Sequence, residues 1–181
     1  APEPAPRPGP RSGVTSPSAG GAARRVLLVV ASPERDLEGL ALVATHLRRH
    51  GIEARFCTGD DLDDAVLREA PDAVVLDQLG AGSRVAAARV AHELGARVLV
   101  LPTAGVFQEP DAEIWRAGGG TDARALVHRF LAWGEDVRRL LLDREVFAAH
   151  QVEVVGCPRF DLYQPPYRAL CGTRAELLRA A

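Results

Sequence analysis

The chain has no lysine and no methionine, only three cysteines, and few aromatic residues, 5% of its 181 positions. All 22 basic residues are arginines. Beside abundant Ala, Arg and Gly, these two absences are what GC-rich coding gives, and they speak of codons rather than function. Cys57, Cys157 and Cys171 are odd in number, widely spaced and free of any CxxC pattern. That excludes a disulfide framework or a zinc knuckle and points to reduced thiols. No apolar run approaches the roughly 20 residues of a membrane span, and residues 1–22 lack the apolar core of a signal peptide. A cytoplasmic protein is expected. The formal net charge of −2 provides no long-range attraction to nucleic acid, and peripheral membrane contact has no support in the residues.

What remains is ordinary soluble composition, 47% hydrophobic and 25% charged, which predicts one domain plus extras. A core of about 150 residues buries roughly 68–70% of its unfolded surface, enough to stand without staples. Residues 1–22, rich in Pro, Gly, Ser and Ala, predict a disordered tail. Residues 23–168 form the predicted domain, and 169–181 begin a hinge helix with a helical stretch over 173–180.

Within the domain, apolar runs alternate with helical patterns. RVLLVVA (25–31) is a β-rich run of the kind covered on both faces. Asp36 is placed to cap the next helix, with Leu37, Leu40, Ala41, Ala44 and Leu47 on one face and Gly51 at its end. Strands follow at 52–57, 73–77 and 96–101, with helices at 61–70 and 83–94. Residues 102–122 read as a long loop, a kind that is usually functional or mobile. A short helix over 123–128, a strand at 130–133, a helix from 135 to about 142, a strand over 151–156 and an irregular turn complete the pattern. This βα rhythm implies right-handed crossovers and a Rossmann-like α/β fold of three layers around a parallel sheet. Ligands of such sheets bind beyond the carboxyl ends of the strands, near a reversal of strand order. The residues there are Ser32, Pro33, Arg35 and Asp36; Thr58 and Gly59; Asp77 and Gln78; Thr103, Ala104 and Gly105; Trp133 and Gly134; and Arg159 to Asp161.

Several chemistries fail at named residues. Gly80-Ala-Gly82 begins like a dinucleotide fingerprint, but it follows the third strand and Val85 fills the third glycine position. PDAVVLD resembles a receiver-domain phosphorylation strand, yet no acidic pair follows the first strand and no lysine exists to neutralise an acyl phosphate. A cobalamin-binding cadence around Gly39 has Asp36 where the cobalt-ligating histidine belongs. His46 and His50, at i and i+4, lack a third metal ligand nearby in sequence. No metal and no cofactor is expected.

Four segments together resemble bacterial surface-carbohydrate biosynthesis proteins, a family of two-domain, GT-B-type glycosyltransferases. They are RVLLVVASPERDLEGLALVATHLRRHGIEA, LVLPTAGVF, HRFLAWGEDVRRLL and VEVVGCPRFDLYQPPYR, spanning about residues 25–178. The resemblance implies the amino-terminal, acceptor-side GT-B domain, with a glycan acceptor and a nucleotide-sugar donor as partners. The donor is held mainly by a second domain, so this chain by itself is expected not to catalyse transfer. Where the family carries Thr-Glu-Gly, this chain has Thr103-Ala104-Gly105. The general-base role is then lost or moved to Asp36, Glu109 or Asp111. Cys157 replaces the family's Asn.

The substrate-binding candidates are Ser32, Arg35, Thr103, Gly105, Trp133, Arg159 and Asp161. Arg35 reads equally as an anion contact beside a helix N-terminus or as a surface partner of Glu34 or Glu38. Trp133 offers either a sugar-stacking face or a packed sheet edge. Gly156 to Asp161 reads first as an entry to the hinge and second as a substrate contact. A non-catalytic α/β binding module and the epimerase branch of the same fold remain as alternatives. All depend on the turns bearing Arg35, Gly105, Trp133 and Arg159 opening onto one crevice.

Overall fold

The structure, a computed structural model, describes residues 24–79, 82–103 and 120–170. The tail, Gly105, Glu109, Asp111 and the stretch 173–180 lie outside the described residues. Six strands form one sheet: β1 Arg25–Val30, β2 Glu53–Thr58, β3 Ala73–Leu76, β4 Arg97–Val100, β5 Val127–Ala132 and β6 Val152–Val154. Their order is β2-β1-β3-β4-β5-β6, and every pairing is parallel. The helices are α1 Pro33–Arg49, α2 Leu62–Glu69, α3 Gly82–Glu93, α4 Gly120–Ala125, α5 Glu135–Asp143 and α6 Pro158–Asp161.

The chain runs outward from β1 to β2, then returns past β1 to β3. A right-handed crossover before and after that reversal places the connecting helices on opposite faces. Alternation along β1 shows the result. Leu28 and Val30 face α1 through Leu40 and Ala44. Leu27 and Val29 face the other layer, with Leu62 and Val66 of α2, Ala87 and Ala91 of α3, and Leu141 of α5. Full burial of one such Leu or Val contributes about 1.5–3 kcal/mol. The three-layer Rossmann-like expectation holds.

Local details differ from the sequence reading. Ser32, not Asp36, is the N-cap of α1, and Pro33 takes the first helical position, where its missing N–H costs nothing. Asp36 lies one turn inside. Residues 127 and 128 belong to β5, not to the helix predicted over 123–128. Pairing of Val98 with Val127 and burial of Leu126 and Val127 override a weak helical pattern. The irregular turn after β6 contains α6.

The β4–β5 register shifts between Val98 and Leu99, whose partners are Val127 and Arg129. His128 is the extra residue of this bulge, and its Nδ1 accepts the Val98 amide at 3.2 Å. The side chain thus satisfies a buried N–H that the ladder leaves over.

Candidate functional site

The strand-order reversal puts the crevice of the sheet between the carboxyl ends of β1 and β3. From β1 the chain passes through Ser32 into α1. The Ser32 carbonyl accepts the Arg35 and Asp36 amides at 3.1 and 2.8 Å, and the Ser32 N–H donates to Asp36 Oδ2 at 2.8 Å. The Ser32 hydroxyl is turned to Glu34 at 3.1 Å. Asp36 is only 3% exposed. Its charge is tolerated because Arg35 grips it with two bonds, Nε to Oδ1 at 2.6 Å and Nη2 to Oδ2 at 3.0 Å.

Burial alone would raise the Asp36 pKa, but the Arg35 hydrogen bonds, the Ser32 amide and the Arg35 charge together hold it below 3.8. The same hydrogen bond, against burial, raises the Arg35 pKa, with Asp77 adding to the field. The Thr103 hydroxyl faces Asp36 and helps keep it ionised. It is buried and makes no full hydrogen bond among the described residues. Arg35 therefore pairs with Asp36, its sequence neighbour, rather than with Glu34 or Glu38.

Opposite this pair stands the block after β6. Gly39 of α1 has no side chain, so the Arg159 backbone approaches closely: a Cβ at Gly39 would lie 3.0 Å from the Arg159 nitrogen. Arg35, Asp36, Gly39, Thr103, Cys157 and Arg159 enclose a cavity of about 20 Å³. That holds one water but no sugar. Among the described residues Arg159 makes no ion pair. Its guanidinium lies 5.5 Å from the centroid of Phe160. Phe160 in turn meets Trp133 at 5.6 Å and 71°. Trp133 is half-buried, and its Nε1 donates to the Pro102 carbonyl at 2.7 Å. The turns after β1, β4, β5 and β6 are thus joined at one rim.

Asp161 is not brought to that cavity. It lines a separate hollow of about 380 Å³ outside α1, with His46, His50 and Tyr167 among its walls. His46 Nε2 lies 2.6 Å from the Tyr167 hydroxyl. Among the described residues no three His, Cys, Asp or Glu side chains are grouped to hold a metal, and no helix is long and apolar enough to cross a membrane.

Sequence reasoning missed Arg84 and Gly39. Arg84 Nε donates to Asp77 Oδ1 at 2.9 Å and Nη1 to the Gly59 carbonyl at 3.1 Å. The Arg84 and Asp77 side chains are 11% and 7% exposed, so this pair locks the ends of β2 and β3. The only local signal was an arginine in the first turn of α3 after a rim aspartate. Burial pushes the Cys57 thiol up to about 11, leaving it protonated at neutral pH.

No protein-family model matches the chain, and no curated protein matches it. Solved structures do. A UDP co-structure of MnaA from S. aureus superposes with a TM-score of 0.58 at 12% identity, covering 83% of this chain and 48% of that one. The UDP-N-acetylglucosamine 2-epimerase from Rickettsia bellii gives 0.59 at 13%, covering 87% and 52%. The UDP-GlcNAc 2-epimerase from Neisseria meningitidis, bound to UDP-GlcNAc, gives 0.53 at 17%, covering 81% and 52%. These likenesses establish the fold. The chain spans about half the length of each.

Proposed function

We propose that this chain is the acceptor-side half of a GT-B-type glycosyltransferase for surface carbohydrate, in which a sugar passes from a nucleotide-sugar donor to a glycan acceptor. One observation carries the reading: Arg159 is a guanidinium without an ion pair among the described residues, set beside a closed Arg35–Asp36 pair at the ligand-binding rim. Sugar transfer leaves a nucleotide diphosphate, whose growing charge needs a fixed cation. Arg159 is free to supply it from this side of the cleft. Arg35 shares its charge with Asp36 and lends the site a rigid wall.

The reaction also needs a base for the acceptor hydroxyl. A carboxylate with three hydrogen bonds and a depressed pKa is a weak base, so Asp36 is a positioning residue. With Ala104 in place of the family's acid, Glu109 and Asp111, outside the described residues, are the candidates left for the base. The donor is held mainly by a further domain, so this chain by itself does not complete the transfer.

Titration calorimetry of the translation product of the whole reading frame with UDP and with UDP-GlcNAc tests the reading. Binding that weakens about tenfold in Arg159→Ala, as the loss of one charge-assisted contact predicts, is the expected result. Equal binding by the variant, or none by the parent chain, rejects it.

A second reading, the epimerase branch, is favoured by the names of the solved neighbours. The translation product of the whole reading frame separates the two. Inversion at C2 of UDP-GlcNAc without an acceptor, seen by NMR, marks an epimerase, and acceptor-dependent UDP release marks a transferase.

A further inference from the structure

The hollow outside α1, about 380 Å³, is far larger than the rim cavity of about 20 Å³. One wall is the second half of α1, with Ile52 just beyond it. The other is made by Pro158 and Asp161 of α6 and by Tyr167, which opens the short helical turn Tyr167–Leu170. The two walls are tied at both ends. Gly39 meets the Arg159 backbone at one. At the other, His46 Nε2 lies 2.6 Å from the Tyr167 hydroxyl, with the rings edge to face at 83°. A hollow braced in this way is preformed, as small-molecule sites usually are, and its volume falls within their range of roughly 300–1,000 Å³.

The lining divides by chemistry. Leu42, Val43, Leu47, Ile52 and Pro158 are half-buried and form an aliphatic floor, while His46, His50 and Asp161 are exposed around it. Two imidazoles, a carboxylate and the Tyr167 phenol can all accept a hydrogen bond, and no arginine is among the lining residues. The Asp161 carboxylate has no ion pair or hydrogen bond among the described residues.

We infer that this hollow is a binding site for a small primary amine with an apolar body, separate from the rim cleft. An ammonium group has three donors and no acceptor, so it matches a mouth whose polar groups all accept. Asp161 supplies the opposite charge, and the aliphatic floor takes the body of the ligand. An anion would face Asp161 with no guanidinium to offset it. A free sugar would press hydroxyls against Leu42, Val43 and Leu47, where unpaired polar groups are costly. The site does not depend on the sugar-transfer reading.

The test is methyl NMR of the translation product of the whole reading frame, with the Leu42, Val43, Leu47 and Ile52 resonances assigned. It is titrated separately with phenethylamine, its neutral analogue 2-phenylethanol and the anion phenylacetate, each to about 10 mM. Phenethylamine should shift those methyls and bind about fivefold more tightly than 2-phenylethanol, the scale of one partly exposed charge contact. Phenylacetate should bind most weakly. Asp161→Asn should remove the fivefold preference and leave 2-phenylethanol binding unchanged. The three ligands compared on the parent protein decide by themselves if the variant melts early. Equal binding of amine and alcohol overturns the assignment, as does a preference that survives in Asp161→Asn. Methyls that none of the three ligands moves overturn it too. So do contacts from the Leu177 or Leu178 methyls to Val43, which would show the hollow filled by the next segment of the chain.

Discussion

Gly39 and Arg159 meet backbone to backbone: a methyl group on the glycine would stand 3.0 Å from the Arg159 nitrogen and 3.2 Å from its Cα. The neighbour is main chain and cannot swing aside. Alanine in mid-helix gains about 0.5–1 kcal/mol over glycine, and the overlap costs about 1 kcal/mol or more. Gly39→Ala should therefore melt within about 1 kcal/mol of the parent while shifting the Arg159 amide resonance. Gly39→Val, with more overlap, should lose about 1–3 kcal/mol. An unmoved Arg159 amide in both variants would contradict the packing described.

The Asp36 carboxylate gives stability a defined pH dependence. Its folded pKa lies below 3.8, so the folded state binds its proton less readily than the unfolded chain. The stabilisation is complete above 3.8 and drains away as pH falls through the lower folded value. Asp36→Asn should cost about 2–3 kcal/mol at neutral pH, since it breaks charge-assisted bonds to Arg35. It should also flatten the acid limb of the stability curve. Urea melts between about pH 2 and 7 decide, and parallel curves for both proteins would sink the assignment.

His128 behaves in the same direction at higher pH. Burial, with nearby His92 and Arg97, holds its imidazole below 6.5, so its contribution is complete above 6.5 and is lost as pH falls toward the folded value. Protonation turns the Nδ1 acceptor into a donor facing the Val98 N–H. His128→Ala should cost about 1–3 kcal/mol at pH 8 by leaving that amide unsatisfied. A ring titration by NMR with its midpoint above 6.5 would refute the account.

Gly59 has no Cβ because the Arg84 guanidinium fills that space. A flexible arginine tip would normally yield cheaply, but this one is pinned between Asp77 and the Gly59 carbonyl. Gly59→Ala should displace it, strand a buried carboxylate, and cost about 3–5 kcal/mol. The double variant Gly59→Ala, Asp77→Asn should recover part of that loss. Additive losses in chemical denaturation would show that the two sites are independent.

Much of the fold was legible in the sequence because strands buried on both faces appear as short continuous apolar runs and helices as a period of 3.6 residues. RVLLVV, AVVL and the stripe of α1 needed no partner to be read, and the βα rhythm implied a parallel sheet. The rim residues followed from where each strand ends. Within reach of one turn the reading was still imperfect. Ser32 and Asp36 both suit a helix start, and only the carbonyl and amide geometry separates cap from back-bonding carboxylate. Leu126 to His128 suit either helix or strand, and pairing with β4 decided.

The sequence by itself therefore determined the elements, their order along the chain and the set of residues at the strand ends, since those depend on near neighbours. The tertiary structure alone decided which of those residues touch. Gly39 with Arg159, Gly59 with Arg84, Val98 with His128 and Trp133 with Phe160 are each separated by 25 or more positions. Contacts of that kind arise only when sheet order and crossover hand bring distant turns to the same rim, and no local pattern encodes them.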